Sequence, residues 1–156
     1  MNQQEVAQLY DTYAQDVFRL ALSYLGSRHD AEDICQTVFL NLLHQNVRLL
    51  PNKEKSFLLT CAANACKNHL KSFWRQNVTT LDDSLVFTCN EERELWDVVQ
   101  SLPAKYRAVV HLYYYEGYSQ EEIAKILSIT RTAVQTRMSR ARAQLRKELC
   151  EYEESL

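Results

Sequence analysis

Apolar residues recur at the helical period along most of the chain, and this pattern predicts a protein built from α-helices. The first stripe covers residues 6–24, and Gly26 is placed to end that helix in a left-handed conformation. A second stripe covers residues 30–43, with Leu42 and Leu43 at the end of its buried face, and a third covers residues 53–75 after an interruption at Pro51. The first half of the chain is therefore predicted to be a bundle of three helices.

The pattern stops between Asn77 and Asn90 and returns afterwards. We expect residues 77–90 to form a flexible linker, residues 91–101 a short helix, and Pro103 the first turn of another helix that ends at Gly117. The buried stripe of that last helix is predicted to be Tyr106, Val109, Val110, Tyr113 and Tyr114. The predicted fold is all-α, with two small helical domains at residues 1–76 and 91–156.

A helix-turn-helix is predicted between residues 118 and 147. Ser119 and Glu122 have the spacing of a capping box for its first helix, and Thr130 can cap the second. The second helix has one apolar stripe, which must pack on the first helix: Val134, Met138, Ala141 and Leu145.

The face opposite that stripe has the chemistry of a major-groove reader. Between residues 130 and 147 there are six Lys or Arg and no Asp or Glu, whereas an ordinary solvated helix usually mixes charge signs. Hydroxyl, amide and guanidinium groups can address base edges and phosphates. The candidate DNA-binding residues are Arg131, Thr132, Gln135, Thr136, Arg137, Ser139 and Arg140.

A second polar face lies on the third helix. Its amides, cations and one aromatic ring suit single-stranded or unpaired DNA, because charges follow the backbone and a ring can stack on a base. An alternative is an ordinary polar face with Trp74 turned into the core. The candidate residues are Asn64, Lys67, Asn68, Lys71, Trp74 and Arg75.

The second helix carries a leucine on its polar side. Leu40 falls among Asp33, Gln36 and Thr37, so it is either an isolated exposed leucine or the centre of a protein contact.

The net charge of −2 hides strongly charged blocks. Residues 51–76 sum to +4 and residues 130–147 to +6, whereas residues 77–102 sum to −5. Two separate basic blocks predict two contacts with one polyanion.

Other features argue against several function classes. The five cysteines and four histidines are scattered without metal-ligand or disulfide spacing, and no nucleophile, phosphate loop or cofactor motif is visible. We expect no cofactor, no bound metal and no enzymatic activity. Since no apolar run is long enough for a membrane span and no signal peptide is visible, we expect a cytoplasmic protein without membrane contact.

Several segments together resemble bacterial sigma factors of the extracytoplasmic-function (ECF) type, a branch of the sigma-70 family. The resemblance covers nearly the whole chain and rests on AEDICQTVFLNLL at residues 31–43, on SFLLTCAANACKNHLKSFWR at residues 56–75 and on the helix-turn-helix with the helix before it. It implies a region 2-like domain at residues 1–76 and a region 4-like domain at residues 91–156.

The resemblance also implies roles for the three candidate surfaces. Asp33, Gln36, Thr37 and Leu40 would contact the β′ clamp helices of RNA polymerase, the third-helix residues would open and read the −10 promoter element, and the helix-turn-helix would read the −35 element. The implied partners are core polymerase, with contacts to β′ and the β flap, promoter DNA and an anti-sigma protein.

The chain departs from the family pattern at four positions. Phe57 stands where Trp is usual, Asn68 where Asp is frequent, Lys71 where Arg is frequent, and Ala133 where Thr is usual. Lys offers a point charge where Arg offers a planar fork, so the bases read in the −10 element can differ from those of the family.

The main alternative to a sigma factor is a stand-alone helix-turn-helix regulator that binds duplex DNA without polymerase. An adaptor that binds polymerase but not DNA is a third possibility.

Overall fold

The computed structural model describes residues 2–45, 48–76 and 99–154, with backbone alone for residues 73–76 and 149–154. Every regular element in these ranges is helical, as predicted. The predicted linker, residues 77–90, lies outside the described residues. The helices are α1 (Gln3–Leu25), α2 (Arg28–His44), α3 (Glu54–Gln76), α4 (Ala104–Val110), α5 (Gln120–Leu127) and α6 (Arg131–Glu154).

The helix boundaries follow the polar residues that cap them. Asn2 and Glu5 form a reciprocal capping box at the start of α1, and Gly26 ends that helix with φ +70°. In the second half, Ser119 and Glu122 form the predicted capping box of α5, with hydrogen bonds of 3.4 and 3.2 Å. Thr130 Oγ1 accepts the predicted bond from the Ala133 amide at the start of α6.

The helix-turn-helix is packed as its apolar pattern predicts. Residues 123, 124, 126 and 127 of α5 are buried, and so are Val134, Met138 and Ala141 of α6. Ser128 adopts a left-handed conformation, φ +57°, in the turn between the two helices. Val134 and Met138 share a buried cluster with α5, as predicted, whereas Ala141 and Leu145 pack on Leu102, Tyr106 and Val110 in and before α4, and the opposite side of α6 is left in solvent.

The helix before the helix-turn-helix differs from the prediction. Residues His111–Tyr115 form a π-helical turn after α4, closed by a 3.1 Å hydrogen bond from the Glu116 amide to the His111 carbonyl. The wider turn shifts the following side chains around the axis. Tyr114 was expected inside on a period of 3.6 residues, but it is 59% exposed.

The two halves of the chain share one apolar core. The buried cluster joins Val17, Leu20 and Ala62 of the first half to Ala108 and Ile123 of the second. α1 packs on α4 and on the π-helical turn, and α3 packs on α5. This packing of the two halves does not follow from the sequence pattern.

Candidate nucleic-acid and polymerase interfaces

The candidate surface on α2 is exposed, and its core side is buried. Ile34, Val38 and Leu42 pack inward, which turns the other side of the helix to solvent. Asp33, Gln36 and Thr37 are exposed there, and Leu40 is 53% exposed. The structure thus brings all four predicted residues to one accessible face.

Local bonds orient parts of this face. The Thr37 hydroxyl donates a 2.8 Å hydrogen bond to the Asp33 carbonyl of its own helix, so its methyl group is left for a contact. The Asp33 carboxylate lies 3.7 Å from His29 Nε2 and remains solvent-accessible. The face therefore offers an exposed leucine beside a carboxylate and an amide.

Two exposed apolar residues lie beside this face, and the sequence pattern did not predict their exposure. Leu43 was expected in the core but is 39% exposed, and Tyr10 of α1 is 48% exposed. The Tyr10 ring contacts the Phe39 ring edge-on, and Tyr10 lines one groove with Gln36 and another with Leu43. A helical wheel places Leu43 on the border of the apolar face, and no signal within α1 separates Tyr10 from its buried neighbours.

The candidate face of α3 is partly free and partly covered. Asn64, Asn68 and Lys71 are exposed, whereas Lys67 is only partly accessible because its ammonium donates to the Leu127 carbonyl of α5. Burial lowers the pKa of Lys67, and the nearby positive charges of Arg137 and Lys71 lower it further. The side chains of Trp74 and Arg75 lie outside the described residues.

The candidate face of α6 is accessible along most of its length. Thr132, Gln135, Thr136, Ser139 and Arg140 are exposed. Together with the capped start of α6, this gives a row of amide, hydroxyl and guanidinium groups on the free side of the second helix.

Two arginines of the α6 set have protein partners. Arg131 is exposed and paired with Glu121 at 3.0 Å. Arg137 is half-buried and close to α1 and α3: burial raises the pKa of Tyr24 and the charge of Arg137 opposes this rise, whereas burial lowers the pKa of Lys67 and the same charge lowers it further. Arg137 therefore lies on the edge of the row that borders the first half of the protein.

Comparison with family models identifies both halves. Residues 9–76 match the model described as sigma-70 region 2, and residues 92–145 match the model described as sigma-70, region 4. The chain belongs to the sigma-70 family.

The relatives of this sigma-70 protein include sigma factors of the ECF type. It is 27% identical to the ECF RNA polymerase sigma factor SigW of Bacillus subtilis strain 168, over 95% of this chain and 90% of that protein. It is 29% identical to the RNA polymerase sigma factor SigV of the same strain, with 87% and 88% covered. It spans only 62% of the ECF sigma factor SigE of Mycolicibacterium smegmatis, to which it is 27% identical over 93% of this chain.

Solved structures share the fold. The sigma factor RpoE, in complex with the anti-sigma factor NepR from Bartonella quintana, matches 94% of this chain and 97% of its own, with a TM-score of 0.74 and 20% identity. CnrH, in complex with the cytosolic domain of CnrY, matches 96% and 90%, with a TM-score of 0.65 and 22% identity.

Two further observations concern the described residues. Within residues 2–45, 48–76 and 99–154, no group of three His, Cys, Asp or Glu side chains could hold a metal ion. Across the same part of the chain, no helix is both long enough and apolar enough to cross a membrane.

Proposed function

We infer that this protein is an RNA polymerase sigma factor, which binds core polymerase and directs initiation at specific promoters. The observation that carries this inference is the presence of three exposed and chemically different faces on a chain with sigma-70 regions 2 and 4. A protein that only binds duplex DNA would need the face of α6 alone. A sigma factor uses all three.

The face of α2 is proposed to bind polymerase. Leu40 would enter an apolar site on the partner, and Asp33 with Gln36 would supply polar contacts around it. Buried apolar anchors surrounded by polar groups carry most of the energy in protein interfaces. The β′ clamp helices are the proposed partner, and the β flap is a second proposed contact through the region 4 half.

The faces of α6 and α3 are proposed to bind the −35 and −10 elements. On α6, Thr132, Gln135 and Thr136 would meet base edges while Arg131, Arg137, Ser139 and Arg140 fix the helix on the phosphates. On α3, Asn64 and Asn68 would read unpaired bases, Lys67, Lys71 and Arg75 would follow the strand, and Trp74 would stack on a base. Duplex DNA upstream and melted DNA downstream would thus be held by one chain.

Polymerase supplies the catalysis in this proposal. The sigma factor performs no covalent chemistry and needs no cofactor, since positioning of the promoter is its whole contribution. It would act in the cytoplasm, where polymerase and promoters are found. We also propose an anti-sigma protein as a partner, because the sigma factor RpoE, which shares the fold, was solved in complex with the anti-sigma factor NepR.

Run-off transcription tests this function. Purified core polymerase is given a library of promoter fragments with or without the protein, and with an Asp33→Arg, Gln36→Ala variant. Transcripts that need the protein and disappear with the variant are expected. The matched variant Asp11→Arg, Gln8→Ala changes exposed α1 residues in the same way and should leave transcription intact.

The same experiment separates the alternative. Absence of protein-dependent transcripts, together with tight duplex binding without polymerase, would overturn the sigma-factor proposal and identify a stand-alone regulator.

A further inference from the structure

The interface between the two halves contains a buried arginine. Arg107 of α4 donates hydrogen bonds of 2.8 Å to the Ser23 carbonyl and 2.9 Å to the Tyr24 carbonyl, and one of 3.0 Å to the Gln100 carbonyl. Ser23 and Tyr24 lie in the last turn of α1, where carbonyls lack helical partners and the helix dipole favours a cation. The second half therefore supplies the cap that the end of α1 needs.

An ion pair closes the interface at another point. Lys55 Nζ of α3 lies 2.6 Å from Glu116 Oε2, which follows the π-helical turn, and 3.9 Å from Asp16 Oδ1 of α1. The Glu116 side chain is 3% exposed. Burial lowers the pKa of Lys55, but its hydrogen bond to Glu116 and the charges of Glu116 and Asp16 raise it overall. Loss of the lysine would leave two carboxylates facing each other across the interface.

This arrangement covers part of the surfaces proposed to bind DNA. The Lys67 ammonium donates to the Leu127 carbonyl at the end of α5, so a residue of the proposed −10 face is held by the helix-turn-helix. Arg137, of the proposed −35 face, is half-buried near Lys67. Two cations from different proposed DNA-binding faces thus lie near each other, both only partly accessible, and the ammonium of Lys67 is already occupied by the Leu127 carbonyl.

Such a juxtaposition would be unfavourable without other contacts to hold it. Like charges repel, and removing them from water adds a further cost. The bonds of Arg107, the pair of Lys55 with Glu116 and the shared apolar core offset this cost. A polyanion would instead favour separated halves, in which both cations are exposed.

We propose that this packed arrangement is an autoinhibited form of the protein. The second half covers one end of the −10 face, and the Arg107 bonds with the Lys55–Glu116 pair act as the latch. The proposal rests on the function inferred above, because it assigns the regulation of the same α3 face. Binding to DNA is weakened by the fraction of molecules that are closed, and disruption of the latch removes that penalty.

A charge reversal with a compensating swap tests the latch. Lys55→Glu places a carboxylate beside Glu116 and Asp16, and the double variant Lys55→Glu, Glu116→Lys restores an opposite pair. Two properties are measured for each protein: the radius of gyration by small-angle X-ray scattering, and the affinity for a fluorescent single-stranded oligothymidylate. Circular dichroism checks that helix content is unchanged.

Lys55→Glu is expected to increase the radius of gyration and to strengthen single-strand binding about tenfold, whereas the double variant returns both properties toward the wild type. The gain in affinity is diagnostic because the variant is more acidic, and added negative charge alone weakens binding to DNA. A Lys55→Glu protein with the same radius of gyration as the wild type would overturn the proposed latch. Separated halves with unchanged or weaker single-strand binding would overturn autoinhibition.

Neither measurement contains polymerase. Failure of run-off transcription by the wild type would therefore reject the sigma-factor function while the closed form is still tested. Conversely, normal transcription with no effect of the charge reversal on either property would reject the latch alone.

Discussion

Ser23 Oγ lies 3.0 Å from Nδ1 of His111, although 88 residues separate the two in the chain. Ser23 belongs to the last turns of α1, and His111 opens the π-helical turn of the second half. The histidine side chain is 10% exposed, and its ring stacks on Tyr115 with 5.0 Å between the centroids. A titratable group is therefore buried in the contact between the two halves.

The charges around His111 come from both halves. Burial lowers its pKa to about 4, and the positive charges of Arg19 and Lys55 also lower it, whereas Asp16 raises it. Glu116 Oε1 lies 3.7 Å from His111 Nε2. The packed arrangement thus favours the neutral imidazole.

Acid is expected to destabilise the packed protein through this residue. A group whose pKa falls on folding contributes its full stability above the unfolded pKa, near 6.5, and loses it as the pH falls toward 4. The decrease in the free energy of unfolding that is due to His111 should amount to about 2 kcal/mol between pH 7 and pH 5. Urea unfolding at a series of pH values measures it.

His111→Phe supplies the control for acid sensitivity. The variant has no titrating group at this position, so its free energy of unfolding should fall less steeply between pH 7 and pH 5 than that of the wild type. Equal slopes for the two proteins would show that other groups cause the acid sensitivity.

The capping of α5 gives a prediction about local stability. Ser119→Ala removes the acceptor for the Glu122 amide and should lower the free energy of unfolding by about 1 kcal/mol. Ser119→Asp keeps an acceptor at the same position and should retain most of the stability. Thermal denaturation of the three proteins compares them, and an alanine variant as stable as the wild type would contradict the assigned cap.

Much of the helical structure could be predicted because it depends on neighbours in sequence. Capping boxes, the Thr130 cap and the stripe of α6 are local patterns, and the structure contains each of them. The exposure of the α2 face followed from the same periodicity. Helices whose ends and buried faces depend on residues close in sequence were therefore predicted correctly.

The contacts between the halves could not be predicted in this way. No local pattern specifies how the halves pack, and nothing near Arg107 in sequence indicates that it caps α1 from 83 residues away. The π-helical turn breaks the assumed period, which is why Tyr114 was placed on the wrong side. Lys67 and Arg137 were expected to be free because each helix face was predicted from its own helix alone. The packing of the two halves brings the two residues close together.

The face of α2 predicts a specific loss of polymerase binding. Leu40→Ala removes an exposed apolar side chain that is proposed to be buried by the partner, which should weaken affinity for core polymerase about tenfold or more. Leu50→Ala is the matched control because Leu50 is 64% exposed but lies outside α2. Fluorescence anisotropy with labelled protein gives both affinities, and equal effects would reject the assigned face.

The face of α6 predicts a change in salt dependence. If Arg140 contacts a phosphate, Arg140→Ala should make the logarithmic slope of promoter affinity against salt shallower by about 0.9. Arg142→Ala removes the same charge from the same helix, but its guanidinium is held by a 3.0 Å hydrogen bond to the Tyr114 hydroxyl. The control should leave the slope nearly unchanged, and a larger effect for Arg142 would contradict the proposed orientation of α6 on DNA.

A footprint of the assembled polymerase on a selected promoter tests the central claim most directly, since the two DNA faces should occupy different promoter elements. With wild-type protein, we expect protection of an upstream duplex element and permanganate reactivity of unpaired thymines downstream. Arg140→Ala should weaken the upstream protection, and Asn68→Ala should weaken the downstream opening. Protection of a single duplex site to the same extent with and without polymerase, together with no reactive unpaired thymines, would contradict the assignment of this chain as a sigma factor.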